Sequence, residues 1–267
     1  MKNFQSYKLL EETIKTAGKK AQELRREGLS IRVKGRQDFV SQADVMVEQL
    51  LKEAILTLYP QDSFLGEESG LATAEKSLKA AANIDSGVWV IDPIDGTTNY
   101  MQGMDYWCVS IAYVVAGTIE IAFVYAPDRD EFFFAKRGEG AYLNGERLVM
   151  TEPEQGQAII GLGRSNRRSL DNYVQTLTVL DQQGVEYRRF GAGALMLAHV
   201  ASGLVNGYYE SHLNSWDALA GLLLIAEAGG STSNFLANDG LLKGNVVWAA
   251  SPRLWQQLNE DLSLEVE

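Results

Sequence analysis

The stretch that decides the fold is WVIDPIDGTTNY, residues 89–100. Its first three residues extend an apolar run that begins at Val88, and such a run predicts a strand buried on both faces. Asp92 and Asp95 follow, with a proline that fixes the backbone between them. Gly96 permits a tight turn, and the two threonines after it favour the start of a helix. We therefore expect two carboxylates beside the free N–H groups of a helix start.

These two groups have opposite preferences for a phosphate. The N–H groups and the positive dipole end of a helix bind phosphate, whereas carboxylates repel it. A divalent cation reconciles them, because Mg²⁺ takes oxygen ligands and commonly joins carboxylates to substrate phosphates. The alternative is a plain Asp-Pro and Asp-Gly turn after a strand. The stretch alone leaves both interpretations open.

Further acidic residues stand at the ends of predicted elements: Asp44, Glu67, Glu210 and Asp217. Glu67 lies in the sequence Gly-Glu-Glu-Ser after a short predicted strand, and adjacent glutamates on a loop are usually solvated. Asp44 ends a Ser-x-x-Asp capping box, and Asp217 stands where a helix begins, so both acids could be helix caps. Glu210 follows two tyrosines and could simply end a strand. Alone, none of the four acids indicates a catalytic site.

The rest of the chain shows a change of pattern at about residue 150. Before it, helical spacing predicts a helix over 4–26 and a second one that ends at Leu58 with Val45 facing inward, and residues 107–143 resemble a strand meander. After it, predicted strands and helices alternate: strands at 158–162, 186–190, 205–209 and 246–250, and helices at 169–183, 192–202, 216–228 and 252–262. We expect two layered halves, 1–150 and 151–267, with the site between them.

Composition limits the class of partner. The 267 residues carry 35 acidic and 24 basic side chains, a net charge of −11. This charge disfavours nucleic-acid binding through a broad basic surface, and it repels anionic substrates unless cations are recruited. The single cysteine, Cys108, falls in an apolar strand pattern and predicts a reducing, cytoplasmic setting. The longest apolar run is too short for a bilayer, so we expect no membrane partner.

Three motifs together resemble the inositol monophosphatase family: residues 66–69, residues 89–100, and Trp216-Asp217 followed by small residues. Their order and spacing agree with that family, and the resemblance extends from about residue 5 to 260. It implies a layered αβαβα sandwich of the inositol monophosphatase and fructose-1,6-bisphosphatase type. It also implies a Mg²⁺-dependent phosphatase that is inhibited by Li⁺ and forms a homodimer.

The resemblance carries over metal ligands position by position. Glu67 and Asp92 would hold the first Mg²⁺, together with the backbone carbonyl of Ile94. The second ion would be held by Asp92, Asp95 and Asp217. Glu67 would also assist a weaker third ion, which gives two or three Mg²⁺ in the site.

The same resemblance assigns the catalytic roles. Gly96 and Thr97 would bind the phosphate through their backbone N–H groups, and Glu67 and Thr97 would position the attacking water. Asp44 would hydrogen-bond Thr97 and keep its hydroxyl aimed at that water. Neither a side-chain nucleophile nor a phospho-enzyme is expected.

Substrate contacts are expected from Asp95, Gly193, Glu210 and Asp217. The glycine lies in a small-residue stretch beside the sugar-like ring, and Glu210 would accept ring hydroxyls. We expect inositol 1-phosphate or a related polyol or sugar phosphate, because both features suit a polyol. Alternatives are histidinol-phosphate, fructose-1,6-bisphosphate and 3′,5′-bisphosphonucleotide phosphatases, or a regulatory relative that acts through RNA or a transcription complex. Ala192, Arg164 and Asn214 depart from the common family pattern.

Overall fold

A computed structural model describes residues 4–28, 31–35, 38–70 and 86–263. The helices among these residues are α1 (Phe4–Glu27), α2 (Gln42–Leu58), α3 (Thr97–Met101), α4 (Leu170–Gln182), α5 (Gly193–Ala201), α6 (Ser215–Glu227), α7 (Gly240–Lys243) and α8 (Pro252–Ser263). The strands among them are β1 (Ile31–Gly35), β2 (Asp38–Ser41), β3 (Ser63–Gly66), β4 (Val88–Asp95), β5 (Cys108–Val115), β6 (Thr118–Ala126), β7 (Glu131–Lys136), β8 (Gly140–Leu143), β9 (Glu146–Arg147), β10 (Ile159–Leu162), β11 (Glu186–Arg188), β12 (Gly207–Leu213), β13 (Ser231–Thr232) and β14 (Asn245–Ala250).

Two sheets form the framework. The larger has the order β3-β4-β5-β6-β7-β8-β9, in which β3 and β4 are parallel and the other pairs antiparallel. The smaller has the order β11-β10-β12-β14-β13, in which β10 is parallel to both of its neighbours. The remaining strands, β1 and β2, pair as a separate antiparallel hairpin.

Side chains that point alternately to the two faces of the large sheet explain why helices pack on both of its sides. Val109 and Ile111 of β5 belong to the apolar cluster that contains α1 and α2, whereas Cys108 and Ala112 belong to the cluster that contains α5 and α6. Successive side chains of a strand point to opposite faces, so each face of the sheet packs on its own pair of helices. Both faces are therefore buried, and the strands are apolar at nearly every position.

Helices α5 and α6 form the middle layer. They share one apolar cluster with residues of both sheets, including Val124 of the large sheet and Val247 of the small one. All residues of α5 from Ala194 to Ala201 are buried, as expected for a helix that is apolar on every side. Helices α4 and α8 cover the outer face of the small sheet through Leu180 and Leu258. The layered αβαβα architecture is confirmed.

Most of the predicted elements occur close to their expected bounds, with two corrections. Val45 is 54% exposed, because Val47, Leu51 and Ile55 form the buried stripe of α2 and Val45 lies off that stripe. The strand predicted over 205–209 begins later and continues to Leu213, because β14 pairs with the polar residues that follow. No described helix is long and apolar enough to cross a membrane. The division into halves at residue 150 stays a prediction.

Candidate functional site

Three acidic side chains meet between the large sheet and the middle helices. Asp92 and Asp95 come from the end of β4, and Asp217 comes from the first turn of α6. One carboxylate oxygen from each lies within 4.8 Å of the others. Asp92 and Asp95 are 1% and 6% exposed and Asp217 is half-buried, so the group is largely withdrawn from solvent.

An irregularity in β4 places its two carboxylates together. Residues three apart on a regular strand point to opposite faces. Pro93 has no N–H to give to the ladder, and the pairing of β4 with β5 is irregular between Asp92 and Asp95. The backbone N–H of Ile94 instead donates to the Asp92 carboxylate at 2.9 Å. This local turn allows both acids to face the same site.

Asp95 is also the cap of a helix in the middle layer. Its carboxylate accepts hydrogen bonds from the backbone N–H groups of Gly193 (3.1 Å), Ala194 (2.8 Å) and Leu195 (3.2 Å). The N-cap residue of α5, Ala192, offers no side-chain acceptor, so Asp95 satisfies the free N–H groups at this helix start. The Cys108 thiol lies 3.7 Å from the same carboxylate, inside the core as predicted.

Two contacts fix Asp217. Its carboxylate accepts from the backbone N–H of Asn214 at 3.3 Å, within the capping box that starts α6. The Ser110 hydroxyl of β5 donates to the backbone carbonyl of Trp216 at 2.9 Å. The first turn of α6 is thereby tied to the strand next to β4. Asp217 is therefore both the cap of a helix and a member of the acidic group.

Burial and mutual repulsion shape the charge state of the three acids. Burial raises the pKa of Asp92 well above its usual range, and Glu67, Asp217 and Asp95 raise it further. Burial and the Asp217 charge raise the pKa of Asp95 to about 7, although the α5 N–H groups oppose this. The pKa of Asp217 is raised by burial as well. Carboxylates so arranged fit a hard divalent cation, which takes oxygen ligands and removes the repulsion.

Glu67 lies next to this group but outside it. Its backbone N–H donates to the carbonyl of Ile91 at 3.1 Å, which continues the pairing of β3 with β4. Its side chain is half-buried, and its charge raises the pKa of Asp92. The structure therefore places Glu67 beside Asp92, without bringing it within the 4.8 Å grouping of the other three acids.

Glu48 supports the Glu67 loop and was not found by sequence reasoning. This buried acid of α2 accepts from the backbone N–H of Glu68 at 2.8 Å and from the Ser69 hydroxyl. A Cβ at Gly66 would lie 2.2 Å from the Glu48 carboxylate, so a side chain there would displace Glu48. No sequence signal marks Glu48, because it occupies an ordinary position on a helix.

Asp44 and Thr97 meet at the start of α3. One oxygen of Asp44 accepts from the backbone and hydroxyl of Ser41, at 2.8 and 2.6 Å, which completes the capping box of α2. Its other oxygen lies 3.5 Å from the Thr97 hydroxyl, which donates to the Ile94 carbonyl at 3.0 Å. Asp44 is thus a cap and a neighbour of Thr97 at once. The Ile94 carbonyl is directed towards Thr97.

Both the backbone conformation at position 96 and the close packing around it require a glycine. Its φ is +86°, a conformation that favours glycine. A Cβ there would lie 2.9 Å from the Cβ of Ala192 and 3.1 Å from the Tyr106 carbonyl. The loop that precedes α3 therefore touches the segment that precedes α5. The Asn99 side chain joins the same segments by donating to the carbonyls of Tyr106 and Phe190, at 2.8 and 2.7 Å.

A cavity of about 190 Å³ opens beside the three acids, and its wall includes all four expected substrate contacts: Asp95, Gly193, Glu210 and Asp217. Glu210 is buried and accepts from the Tyr208 hydroxyl at 2.6 Å. Burial raises the pKa of Glu210 to about 8, with Asp217 and Asp95 adding to the shift and Tyr208 opposing it. Arg164 and Arg189 line the same cavity. It therefore combines an acidic side with a basic one.

Comparison with known proteins agrees with this architecture. The sequence profile described as the inositol monophosphatase family matches residues 3–266. The Nus factor SuhB of Escherichia coli (strain K12) is 38% identical over 226 residues, which are 83% of this chain and 81% of that protein. The extragenic suppressor protein suhB from Bartonella henselae has a similar structure, with a TM-score of 0.83, 30% identity, and coverage of 96% of this chain and 97% of that chain.

Ligand-bound structures of SaIMPase-II are also similar. The complex with inositol monophosphate has a TM-score of 0.74 and 27% identity, and covers 96% of this chain and 92% of that chain. The complex with 2′AMP has a TM-score of 0.76 and 27% identity, and covers 97% of this chain and 94% of that chain.

Proposed function

Since this chain belongs to the inositol monophosphatase family, we propose that it is a Mg²⁺-dependent phosphomonoesterase acting on inositol 1-phosphate or a related polyol or sugar phosphate. The observation that carries the proposal is the close group of Asp92, Asp95 and Asp217 beside a cavity, of which the first two are buried and the third is half-buried. Three carboxylates this close repel one another and an anionic substrate. Their arrangement makes chemical sense when cations occupy the site.

We assign the metal ligands as follows. Asp92, Asp95 and Asp217 would hold one Mg²⁺, and Asp92, Glu67 and the Ile94 carbonyl would hold another, with Glu67 near a weaker third. When bound, such ions lower the pKa of a coordinated water and offset the charge of the phosphate. The α5 N–H groups hold Asp95 in place, because they donate hydrogen bonds to its carboxylate.

The other residues orient the reactants. We assign phosphate binding to the backbone N–H groups of Gly96 and Thr97, which lie at the turn that starts α3. Glu67 and the Thr97 hydroxyl would position the water that attacks phosphorus, and Asp44 limits the orientations of that hydroxyl. Water is the nucleophile in this account, so catalysis depends on positioning and charge stabilisation.

Glu210 and Gly193 support a polyol as the leaving group. Glu210 is buried in the cavity wall, where an acceptor for a substrate hydroxyl is expected. A Cβ at Gly193 would lie 3.2 Å from the Tyr208 hydroxyl, so the absence of a side chain keeps space beside Glu210. A similar protein, SaIMPase-II, has been solved with inositol monophosphate and with 2′AMP. Phosphatases for the other esters named above share these acids and remain alternatives.

We also propose that the chain forms a homodimer. Large apolar side chains are exposed on α4 and on the edge strand β11: Leu170 (64%), Val174 (49%) and Tyr187 (44%). Burial of such side chains against a second copy removes them from water. Light scattering on the purified chain should give twice the monomer mass, and the monomer mass would contradict this assignment.

A second candidate function is that of a Nus factor, the name carried by the Escherichia coli relative. The extent of that likeness supports this candidate, whereas the intact acidic group favours the enzyme. Pull-down of RNA polymerase or RNA by the tagged chain, repeated at increasing salt, tests this role. Capture would add a regulatory role, and a phosphatase without such binding would disfavour it.

Phosphate release from a set of esters tests the enzymatic proposal. The set contains inositol 1-phosphate, histidinol phosphate, fructose 1,6-bisphosphate and a 3′,5′-bisphosphonucleotide. Each ester is assayed with Mg²⁺, with Mg²⁺ plus Li⁺, and with a chelator. We expect hydrolysis of inositol 1-phosphate that requires Mg²⁺ and is inhibited by Li⁺. If the chain hydrolyses none of these esters, the proposal is overturned.

A further inference from the structure

Arg164 has a donor that the described structure leaves without a partner. Its Nη1 atom is buried and makes no hydrogen bond within the part of the chain that the structure describes. The side chain lines the cavity that also contains Glu210 and Asp217. A buried guanidinium N–H without an acceptor is unfavourable, so its position in a substrate cavity points to an acceptor on the substrate.

The surroundings of Arg164 hold its guanidinium without using its donors. The group lies over the Tyr173 ring of α4, with 5.8 Å between the guanidinium carbon and the ring centroid. The preceding residue, Gly163, passes so close to the cavity wall that a Cβ would lie 2.0 Å from the Glu210 carboxylate and 2.4 Å from the Tyr208 hydroxyl. The contact with this ring and the close backbone approach hold Arg164 on the cavity wall, and neither uses the Nη1 donor.

Arg189 adds a second cation to the same wall. It follows β11 and lines the cavity, where its charge opposes the burial that raises the pKa of Glu210, and within the described ranges its side chain makes no hydrogen bond or ion pair. Burial raises the pKa of Tyr173, whereas Arg189 and Arg164 lower it, so both cations lie near this ring. The adjacent Arg188 differs, because it donates to the Glu186 carboxylate at 3.0 Å and to the Tyr187 carbonyl at 2.7 Å.

We propose that Arg164 and Arg189 bind a second phosphate group of the substrate, so that the preferred ester is a bisphosphate. Two guanidinium groups from separate segments carry two positive charges, and their forked N–H donors match the charge and the several oxygens of a phosphate, whereas a polyol hydroxyl carries no charge. The cleaved phosphate would lie at the acidic group and the second one at the arginines. This inference rests on the proposed phosphatase function and specifies its substrate class.

Two pairs of esters test the inference, each differing by one phosphate. They are myo-inositol 1-phosphate with myo-inositol 1,4-bisphosphate, and adenosine 2′-phosphate with adenosine 2′,5′-bisphosphate. Phosphate release is measured at one fixed concentration of free Mg²⁺, because bisphosphates chelate the ion. We expect kcat/KM for the bisphosphate to exceed that for the monophosphate at least tenfold in one pair. Equal values in both pairs would overturn the inference.

Variants identify the residues responsible. Arg164→Met keeps the apolar stem of the side chain and removes its charge. We expect it to raise KM for the preferred bisphosphate about tenfold, with little change for the matching monophosphate, and Arg189→Gln to act in the same direction. Arg188→Gln is the matched control, because the arginine it removes is already paired, and it should leave the preference intact. If Arg164→Met lowers kcat/KM equally for the bisphosphate and the monophosphate, the role of Arg164 is purely structural and the inference is contradicted.

Binding measurements separate this inference from the proposed function. If the wild-type chain hydrolyses none of these four esters and none of the esters that test the proposed function, the phosphatase proposal fails. Calorimetric titration with the same esters, with Mg²⁺ present, then decides the arginine inference. Tighter binding of a bisphosphate that Arg164→Met abolishes would support it, and equal affinities for mono- and bisphosphates would overturn it.

Discussion

The Asp95 carboxylate accepts a hydrogen bond from the backbone N–H of Ala194 at 2.8 Å, although the two residues are 99 positions apart. This bond joins the last residue of β4 to the first turn of α5. Any shift between the large sheet and the middle helices would therefore move a residue that we assign to the metal. The same carboxylate caps a helix and belongs to the acidic group.

Metal binding should release protons near neutral pH. Burial and the Asp217 charge raise the pKa of Asp95 to about 7, and the pKa of Asp92 is raised as well. At pH 6.5 the metal-free group is therefore partly protonated, and a cation must displace those protons. Titration calorimetry with Mg²⁺ in two buffers of different ionisation enthalpy should give different heats, and affinity should rise from pH 6 to 8. Identical heats and a pH-independent affinity would contradict this prediction.

Glu210 should make the metal-free protein less stable as the pH rises. Its pKa is raised from 4.5 to about 8, so it binds a proton more tightly in the folded chain than in the unfolded chain. The stabilisation by this proton is complete below the unfolded pKa and is lost as the pH rises through about 8.

The variant Glu210→Gln removes this dependence on pH. Urea unfolding in the presence of a chelator should give similar free energies for both proteins at pH 4. At pH 8.5 we expect the variant to be more stable than the wild type by a few kcal/mol. Parallel profiles for the two proteins across this range would show that Glu210 does not titrate in this way.

Glu48 should act through the loop that carries Glu67. Replacement by Gln substitutes a donor for one of the two oxygens, which weakens the contacts with the Glu68 N–H and the Ser69 hydroxyl. We expect Glu48→Gln to lower Mg²⁺ affinity or kcat/KM about 10–100-fold, with the chain still folded. The control is Glu53→Gln, an exposed position of the same helix, which should behave as wild type. Unchanged Mg²⁺ affinity and turnover in Glu48→Gln would remove Glu48 from the account.

Gly96→Ala should combine backbone strain with crowding. A positive φ alone costs about 1–2 kcal/mol for alanine. At Gly96 the new Cβ would also meet the Ala192 Cβ at 2.9 Å, whereas at Gly117, with φ of +74°, no atom of the described residues lies within 4 Å. We expect chemical denaturation to show that Gly96→Ala lowers the free energy of unfolding by about 1–3 kcal/mol more than Gly117→Ala does. Equal losses would mean that the segment before α5 moves away at no cost.

The fold was largely predictable from local pattern. The helix predicted over 169–183 is observed as Leu170–Gln182, because apolar spacing and the Ser169 cap both mark it. The strand containing Glu210 was harder to bound, since its last residues are polar and only pairing with β14 extends it to Leu213. Local sequence does not encode that pairing.

The acids of the site were predictable through their motifs, and their supports were not. Asp92 and Asp95 stand in a distinctive stretch of sequence. Glu48 and Ser110 occupy ordinary positions, and the residues they hydrogen-bond lie 20 and 106 positions away in the chain. The contact of Asp95 with α5 is equally remote in sequence. Such residues become visible only when the layers are assembled.

The central claim is that Asp92, Asp95 and Asp217 hold the metal for phosphomonoester hydrolysis. The most direct measurement is phosphate release from inositol 1-phosphate as a function of Mg²⁺, for the wild type and Asp95→Asn. An asparagine keeps one of the two oxygen acceptors for the α5 N–H groups and removes one buried charge, so we expect the metal-free variant to remain folded. We expect a folded variant whose Mg²⁺-dependent rate is at least about 1,000-fold lower. Near-normal turnover in Asp95→Asn would contradict it.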